Sequence, residues 1–396
     1  MRVAVIGAGH AGVEAAVTAG VAGADEVLLY SSETDLPYFR PRLVSVAFGQ
    51  ATPESIRMHQ AEWYSERRIA LRLNTSVRSL KLDPLVVVSD ASEEPVDAAV
   101  VACGATPLRP SVPGLDDPRV CVLWSQPDAA ALHAMLRPGG HLVILGGGIL
   151  GIEAALRAIQ AHQSVTILER WDYLMPSNFG PRAATVLLKQ LTARGIRVRT
   201  GGVLLRAESH PATKALELVL NDGSRLACDY MLISAGARPS LDLARASALE
   251  TRRGIVVAPT LQTSAARIFA AGDVAELAHV TRCAVREATA QGRLAGANAA
   301  AVAHGRSCAV YQPVQVPLTY KMPSFEVYAV GLPDGPGCET RCLENNDESN
   351  FRALVLQNGV LVGVQMIGTR EEFDDYAARV QPATLPGGNG KLNSSG

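Results

Sequence analysis

Short apolar runs that do not alternate with polar residues recur along the chain, and several lead straight into glycine. Val3 to Ile6 is such a run, and an unbroken apolar strand of that length suits a parallel sheet covered on both faces. Glycines follow, then the Ala-rich, helix-forming stretch Val13 to Val21, then a second apolar run at Val27 to Tyr30. Strand, turn, helix and strand fill about thirty residues, the size of a βαβ unit. The same order returns with Leu142 to Leu145, a glycine turn, and Val165 to Leu168. Each half then carries an apolar strand ending in Gly-Ala-x-Pro, at Val100 to Pro107 and at Leu232 to Pro239. Gly104 lies 97 residues after Gly7, and Gly236 lies 90 after Gly146. The repeat predicts an α/β chain with two doubly wound, Rossmann-like modules. Ile268 to Asp273 (IFAAGD), preceded by the strand-like run Gly254 to Val257, reads as the closing strand of the first module. The second module is then inserted within the first.

The glycines carry the chemistry. Gly7-x-Gly9-x-x-Gly12 and Gly146-x-Gly148-x-x-Gly151 each sit between a strand and a helix. There the first glycine permits a tight turn, the second lets a pyrophosphate approach, and the third lets helix pack on strand. The helix N-terminus offers free N–H groups and its positive dipole end to the phosphates. Glu169 follows the second module's second strand, 23 residues after Gly146. An acid there accepts hydrogen bonds from both ribose hydroxyls and repels a 2′-phosphate, which favours NADH over NADPH. Arg170 beside it keeps that preference undecided. Asp273, at the carboxyl end of its strand, is placed to meet the far part of the first nucleotide; capping a helix over Val274 to Leu277 is its other reading.

Charge and cysteine content narrow the class. Lys plus Arg number 37 against 38 Asp plus Glu, a net charge of −1 that excludes a general nucleic-acid binder. No apolar run reaches the roughly 18 residues of a membrane span, and Met1-Arg2 leads directly into a strand without a signal peptide, so a cytoplasmic protein is expected. The seven cysteines show no Cys-x-x-Cys and read as reduced thiols; Cys338 and Cys342, four apart, leave a metal pair open. The eight histidines are scattered, and His10 reads as a variable loop residue, so no metal site is predicted.

With these segments and LPYFRPRL (Leu36 to Leu43), the chain resembles the FAD- and NAD(P)-dependent pyridine nucleotide oxidoreductases over Val3 to Gly368. Within them it is most similar to rubredoxin reductases, flavorubredoxin reductases and the flavoprotein part of nitrite reductases. The resemblance implies FAD in residues 1–115 and 241–310, NAD(H) in 116–240, a small α+β domain at 311–380 with a hairpin in Phe351 to Gly368, and a flexible tail at 381–396. It implies Gly7, Gly9 and Gly12 at the FAD pyrophosphate and Gly272 and Asp273 at its ribityl side. Arg40 would touch the FAD, the Val77 backbone its adenine, and Lys321 the flavin ring. Gly104 and Gly236 belong to the cofactor strands, and Glu153 would sit by the nicotinamide as the catalytic residue, holding the carboxamide or shaping the local charge rather than transferring protons; its plainer role is a first-turn glutamate on the helix dipole.

Two departures stand out. The family's ribose acid after the second strand is absent, leaving Ser31, Ser32 or Glu33, the last 26 residues after Gly7. No cysteine precedes Cys103, which excludes the thiol-disulfide route of related reductases. Electrons from NADH would pass through FAD to a small redox protein or a small molecule; an NADH oxidase, an amine or amino-acid dehydrogenase and a non-catalytic nucleotide-binding subunit are the other readings. Ser45, where several ferredoxin-reducing relatives carry lysine, and the acidic stretch after Tyr311 favour the small molecule. That stretch steers an acidic partner poorly unless Arg341, Arg352 or Arg370 cluster.

Overall fold

A computed structural model describes residues 1–210, 215–281, 283–312, 317–343, 346–347 and 349–382. Beyond residue 382, the tail expected at 381–396 lies outside the described residues. The chain divides into two compact units, Met1–Leu108, Leu123–Ala134 and Gly236–Val314 in one, and Arg109–Val122, Met135–Ala235 and Gln315–Gly396 in the other.

The first unit is built on a five-stranded parallel sheet in the order Ile268–Ala270, Ala98–Val101, Arg2–Ile6, Glu26–Tyr30, Ile69–Arg72. Val3, Ala4 and Val5 have no exposed surface, as the unbroken apolar run requires. Helix His10–Val21 packs on helix Val285–Ala303 through small residues. A Cβ on Gly292 would fall 2.2 Å from the Ala11 carbonyl oxygen, and one on Gly296 2.1 Å from that of Ala15. The helix expected over Val274 to Leu277 does not form. Gly272–Val274 is a 3-10 turn, and Ala275–Leu277 is a strand paired with Ile255–Val257. Parallel pairing satisfies that backbone and leaves no helix for Asp273 to cap.

The second unit repeats this topology. Its parallel sheet runs Arg197–Arg199, Ser164–Leu168, His141–Leu145, Tyr230–Ile233, Val120–Val122. Both modules place a three-stranded antiparallel sheet before their fourth strand, Val77–Leu82 to Glu93–Pro95 in one and Leu204–Ser209 to Arg225–Cys228 in the other. The fifth strand comes from late in the chain in the first module and from ahead of the module in the second.

The two Gly-Ala-x-Pro segments meet in the first unit. Ala105–Pro107 and Ala237–Pro239 pair antiparallel, with Arg238 opposite Thr106. The Leu108 amide donates to the Gly236 carbonyl at 2.9 Å, and the Ser240 amide to that of Gly104 at 3.0 Å. This near-symmetric closure explains why both halves carry the same tetrapeptide.

The second unit also holds a five-stranded antiparallel sheet, ordered Leu318–Lys321, Glu326–Gly331, Val360–Ile367, Phe351–Gln357, Cys338–Cys342, with the short helix Phe373–Ala377. Asn358 and Gly359, both at positive φ, turn the hairpin between Phe351–Gln357 and Val360–Ile367.

Candidate functional site

The two glycine loops are backbone devices, and they match closely. Gly7 has φ +106°, and a Cβ there would lie 2.3 Å from the Ala102 oxygen; Gly146 has φ +115° and would meet the Ser234 oxygen at 2.2 Å. A Cβ on Gly12 would lie 1.7 Å from the Gly7 oxygen, and one on Gly151 2.1 Å from that of Gly146. Gly9 and Gly148 differ from these. Their Cβ positions have no protein atom within 4 Å, and both residues open a twelve-residue helix that has no side-chain cap. Open space before uncapped N–H groups fits a pyrophosphate in each loop.

Around the first loop, Ser31 is buried; its amide donates to the Arg72 carbonyl at 2.8 Å and its oxygen accepts from the Thr75 amide at 2.8 Å. Ser32 is exposed. Glu33 is committed on both oxygens, accepting the Tyr38 hydroxyl at 2.5 Å and the Arg40 guanidinium at 2.6 Å. Arg40 also donates to the Trp124 carbonyl and lies 5.2 Å from the Tyr38 ring centroid. Glu33 therefore positions Arg40, and Ser31 stands nearer the place of the missing ribose acid. Burial raises the Asp273 carboxyl above the ordinary aspartate range, opposed by the Cys283 thiol bonded to it and by the charge of Arg40. The Gly272 amide donates to Gln291 Oε1 at 2.9 Å. Val77, half-buried, begins the strand Val77–Leu82. Gly104 and Gly236, at φ +67° and +99°, flank the paired ribbon.

His10 was expected to be a plain loop residue, yet its Nε2 is buried without a partner. Burial, then the charge of Arg40, push its pKa down to about 4, so it is neutral at physiological pH.

In the second unit Glu169 is buried, with Oε2 accepting the Gly147 amide at 2.6 Å and Oε1 the Trp171 amide at 3.0 Å. Trp171 is half-exposed, with the Arg170 guanidinium over its ring. Glu153 is 3% exposed; Oε1 accepts from Arg157 at 2.9 Å and Oε2 from the Tyr320 hydroxyl. Burial raises its carboxyl pKa while Arg157 opposes the rise.

Tyr320 is the functional candidate that sequence reading missed in favour of its neighbour. Side chains alternate along Leu318–Lys321, so Tyr320 reaches Glu153 while Lys321 projects to the other face, 84% exposed and 3.2 Å from Glu326. The structure does not bring Lys321 to Glu153. The alternation alone could have flagged that only one of the two neighbours serves a given face.

All seven cysteines are free. Burial pushes Cys103 and Cys228 each up to about 12, so neither is a thiolate at neutral pH. Cys338 and Cys342 stand on one strand four residues, about 13 Å, apart, too far to share an ion.

The pyridine nucleotide-disulphide oxidoreductase profile matches residues 1–293. The chain belongs to this family. It is 35% identical over 278 residues to the benzene 1,2-dioxygenase system ferredoxin–NAD(+) reductase subunit of Pseudomonas putida, covering 69% of this chain and 67% of that protein. It is 27% identical over 377 residues to the NADH-dependent phenylglyoxylate dehydrogenase subunit epsilon of Aromatoleum evansii, covering 93% and 88%. The covalent putidaredoxin reductase–putidaredoxin complex superposes with a TM-score of 0.84 at 25% identity, covering 96% of this chain and 93% of that one. Like its family, the chain is an FAD- and NAD(H)-binding oxidoreductase with two Rossmann-like domains and a smaller C-terminal α+β region. No helix among the described residues is long and apolar enough to cross a membrane.

Proposed function

We propose that the chain takes electrons from NADH and delivers them to a separate redox protein of ferredoxin or rubredoxin type, without using a thiol. The observation that carries this reading is the pair of matched, open glycine loops in a chain whose Cys103 and Cys228 are held as thiols by burial. Relatives at 35% and 32% identity are a ferredoxin–NAD(+) reductase subunit and a rubredoxin–NAD(+) reductase of Pseudomonas putida. When bound, FAD supplies the exchange between a two-electron nicotinamide and a one-electron carrier.

Gly7, Gly9 and Gly12 would hold the FAD pyrophosphate, Ser31 with Ser32 the ribose, the Val77 backbone the adenine, and Asp273 with Gly272 the ribityl side. Arg40, oriented by Glu33, would contact the same cofactor. Lys321, exposed and paired with Glu326 on the face away from Tyr320, takes no part in this arrangement. Gly146, Gly148 and Gly151 would hold the NADH pyrophosphate. Glu169, already aimed by two amides, would accept from the ribose hydroxyls and disfavour a 2′-phosphate. Glu153, fixed by Arg157 and Tyr320, would orient the nicotinamide. Free cysteines throughout fit a reducing, cytoplasmic setting.

The antiparallel sheet gives an acidic acceptor little to dock on. Arg341 pairs with Glu339 at 3.2 Å, Arg352 with Glu372 at 2.9 Å and Arg370 with Asp374 at 2.9 Å, so these arginines form no shared basic face. A ferredoxin would then dock elsewhere. A second reading draws on the match to the phenylglyoxylate dehydrogenase subunit, which covers 93% of this chain: an NAD(H)-handling subunit of a larger dehydrogenase.

Anaerobic stopped-flow absorbance at the flavin band tests the proposal. Rapid bleaching by NADH, slower bleaching by NADPH and reoxidation by added ferredoxin or rubredoxin are expected. A flavin that NADH fails to bleach overturns the proposal. Bleaching by NADH without reoxidation by either carrier favours the subunit reading.

A further inference from the structure

We propose that Trp171 sets the nucleotide preference of the second module by holding the Arg170 guanidinium over its indole, away from the 2′-phosphate by which NADPH differs from NADH. This rests on the reading of Gly146 to Gly151 and Glu169 as an NADH site. A 2′-phosphate there would stand at the Glu169 carboxylate, with Arg170 the next residue along the chain. The two side chains pull in opposite directions, because the acid repels the phosphate while a guanidinium binds one as a two-pronged fork. Residue order alone leaves that contest even, and the conformation of Arg170 decides it. Its Cζ lies over the Trp171 ring, 4.9 Å from the centroid. The ring's quadrupole attracts a cation placed there, and at an exposed site this lowers the cation's availability to another anion roughly two- to fivefold.

The indole is carried on a firmly bonded backbone. The Trp171 amide donates to Glu169 Oε1 at 3.0 Å, and the Trp171 carbonyl accepts from the Gly201 amide at 2.9 Å. The Glu169 amide donates to the Arg199 carbonyl at 2.8 Å, and the Glu169 carbonyl accepts from the Gly202 amide at 3.0 Å. Residues 169–171 are thus laced to the end of strand Arg197–Arg199 and to the turn after it. Trp171 is 51% exposed, so its ring adds little to a core and is open to the guanidinium. Arg199, on the neighbouring strand, is paired with Asp222 and is committed elsewhere. The donors that aim the Glu169 carboxylate are the backbone amides of Gly147 and Trp171, so replacing the Trp171 side chain leaves both in place. Trp171 therefore acts on the preference through Arg170 and not through the ribose acceptor.

Calorimetric titration of the flavin-loaded protein with ADP-ribose and with 2′-phospho-ADP-ribose tests this, since neither probe carries a nicotinamide and neither reduces the flavin. The parent should bind ADP-ribose the more tightly. Trp171→Leu should tighten 2′-phospho-ADP-ribose about two- to fivefold and leave ADP-ribose within about a factor of two. That gain should fade at high salt. Adding Arg170→Ala should abolish it, and Trp171→Phe, which keeps an aromatic face, should stay nearer the parent than Trp171→Leu. An unmoved 2′-phospho-ADP-ribose constant in Trp171→Leu, a gain that survives Arg170→Ala, or a Phe variant that matches Leu would each overturn the proposal, and bleaching of the flavin by NADH in the same preparations would leave the reductase reading standing. Failure of both probes to bind the parent would overturn the NADH reading and this proposal with it.

Discussion

The two nucleotide modules agree in their backbone and diverge in their side chains. Gly7 and Gly146 take nearly the same φ, and Gly12 and Gly151 each press on the carbonyl of the loop's first glycine. Gly9 and Gly148 each face open space. The acids that follow have separate fates. Glu169 is bonded to its own loop, whereas Glu33 is spent on Tyr38 and Arg40. A pyrophosphate asks the same of any loop, so the backbone solution repeats. The rest of each ligand differs, and the side chains follow it.

The largest effect should come from breaking the shared backbone. Gly12→Val puts a branched side chain where even a Cβ lies 1.7 Å from a carbonyl oxygen, and the strand-to-helix packing must give way. The expected cost is about 3 kcal/mol or more, with loss of bound flavin. Gly9→Ala meets no protein atom, so the fold should survive while flavin affinity falls. Thermal melts together with the ratio of flavin to protein absorbance separate the two outcomes. Equal melting losses in both variants would remove the distinction between a packing glycine and a ligand-facing one.

The divergent acids give the next effect. Glu169→Ala removes the proposed ribose acceptor and leaves the Gly147 and Trp171 amides without their carboxylate. The apparent NADH dissociation constant should rise about tenfold or more, with NADPH changing less. Glu169→Gln, which still offers an oxygen, should fall between. Stopped-flow titration with each nucleotide measures this, and an unchanged NADH constant would dissociate Glu169 from ribose recognition.

What the sequence made legible follows the same division. The strand–glycine–helix units and the Gly-Ala-x-Pro repeat were readable because apolar runs and glycine spacing are local signals. The pairing of Ala105–Pro107 with Ala237–Pro239 joins segments about 130 residues apart, and no local pattern announces it. Val274 to Leu277, three apolar residues and a glutamate, suits a helix or a strand on local grounds, and pairing with Ile255–Val257 decides for strand. Lys321 enters through the family resemblance, which points to a lysine and not to its neighbour Tyr320. A tyrosine hydroxyl gains its meaning only from the buried carboxylate it meets.

A smaller effect should separate the acids at the fifth position of the two loop helices, Glu14 and Glu153. Glu14 stands two residues after Gly12 as Glu153 stands two after Gly151, yet Glu14 pairs with Arg293 near the surface, at 2.8 Å, while Glu153 is buried between Arg157 and Tyr320. Tyr320→Phe should raise the NADH concentration for half-maximal flavin reduction about three- to tenfold, the worth of one hydrogen bond to a carboxylate. Glu14→Gln should leave it unchanged, since an exposed ion pair contributes little. Equal responses would mean that Glu153 holds its helix turn and nothing more.

The smallest effect concerns an acid with no counterpart. The first module's fifth strand, Ile268–Ala270, leads to Asp273, whereas the second module's, Val120–Val122, leads to Leu123, Trp124 and Ser125. Burial raises the Asp273 pKa above its ordinary 3.8. A raised folded pKa means that the group's stabilising share is present below the unfolded value and is lost as pH rises through the folded one. Asp273→Asn removes that loss. In flavin-free protein its melting temperature should therefore exceed the parent's at neutral pH, and the gap should shrink toward pH 4. Melting curves of both proteins across that range decide it. A gap that is constant with pH would place the effect in packing, and one that widens in acid would mean that the carboxylate is stabilised where burial says it is penalised.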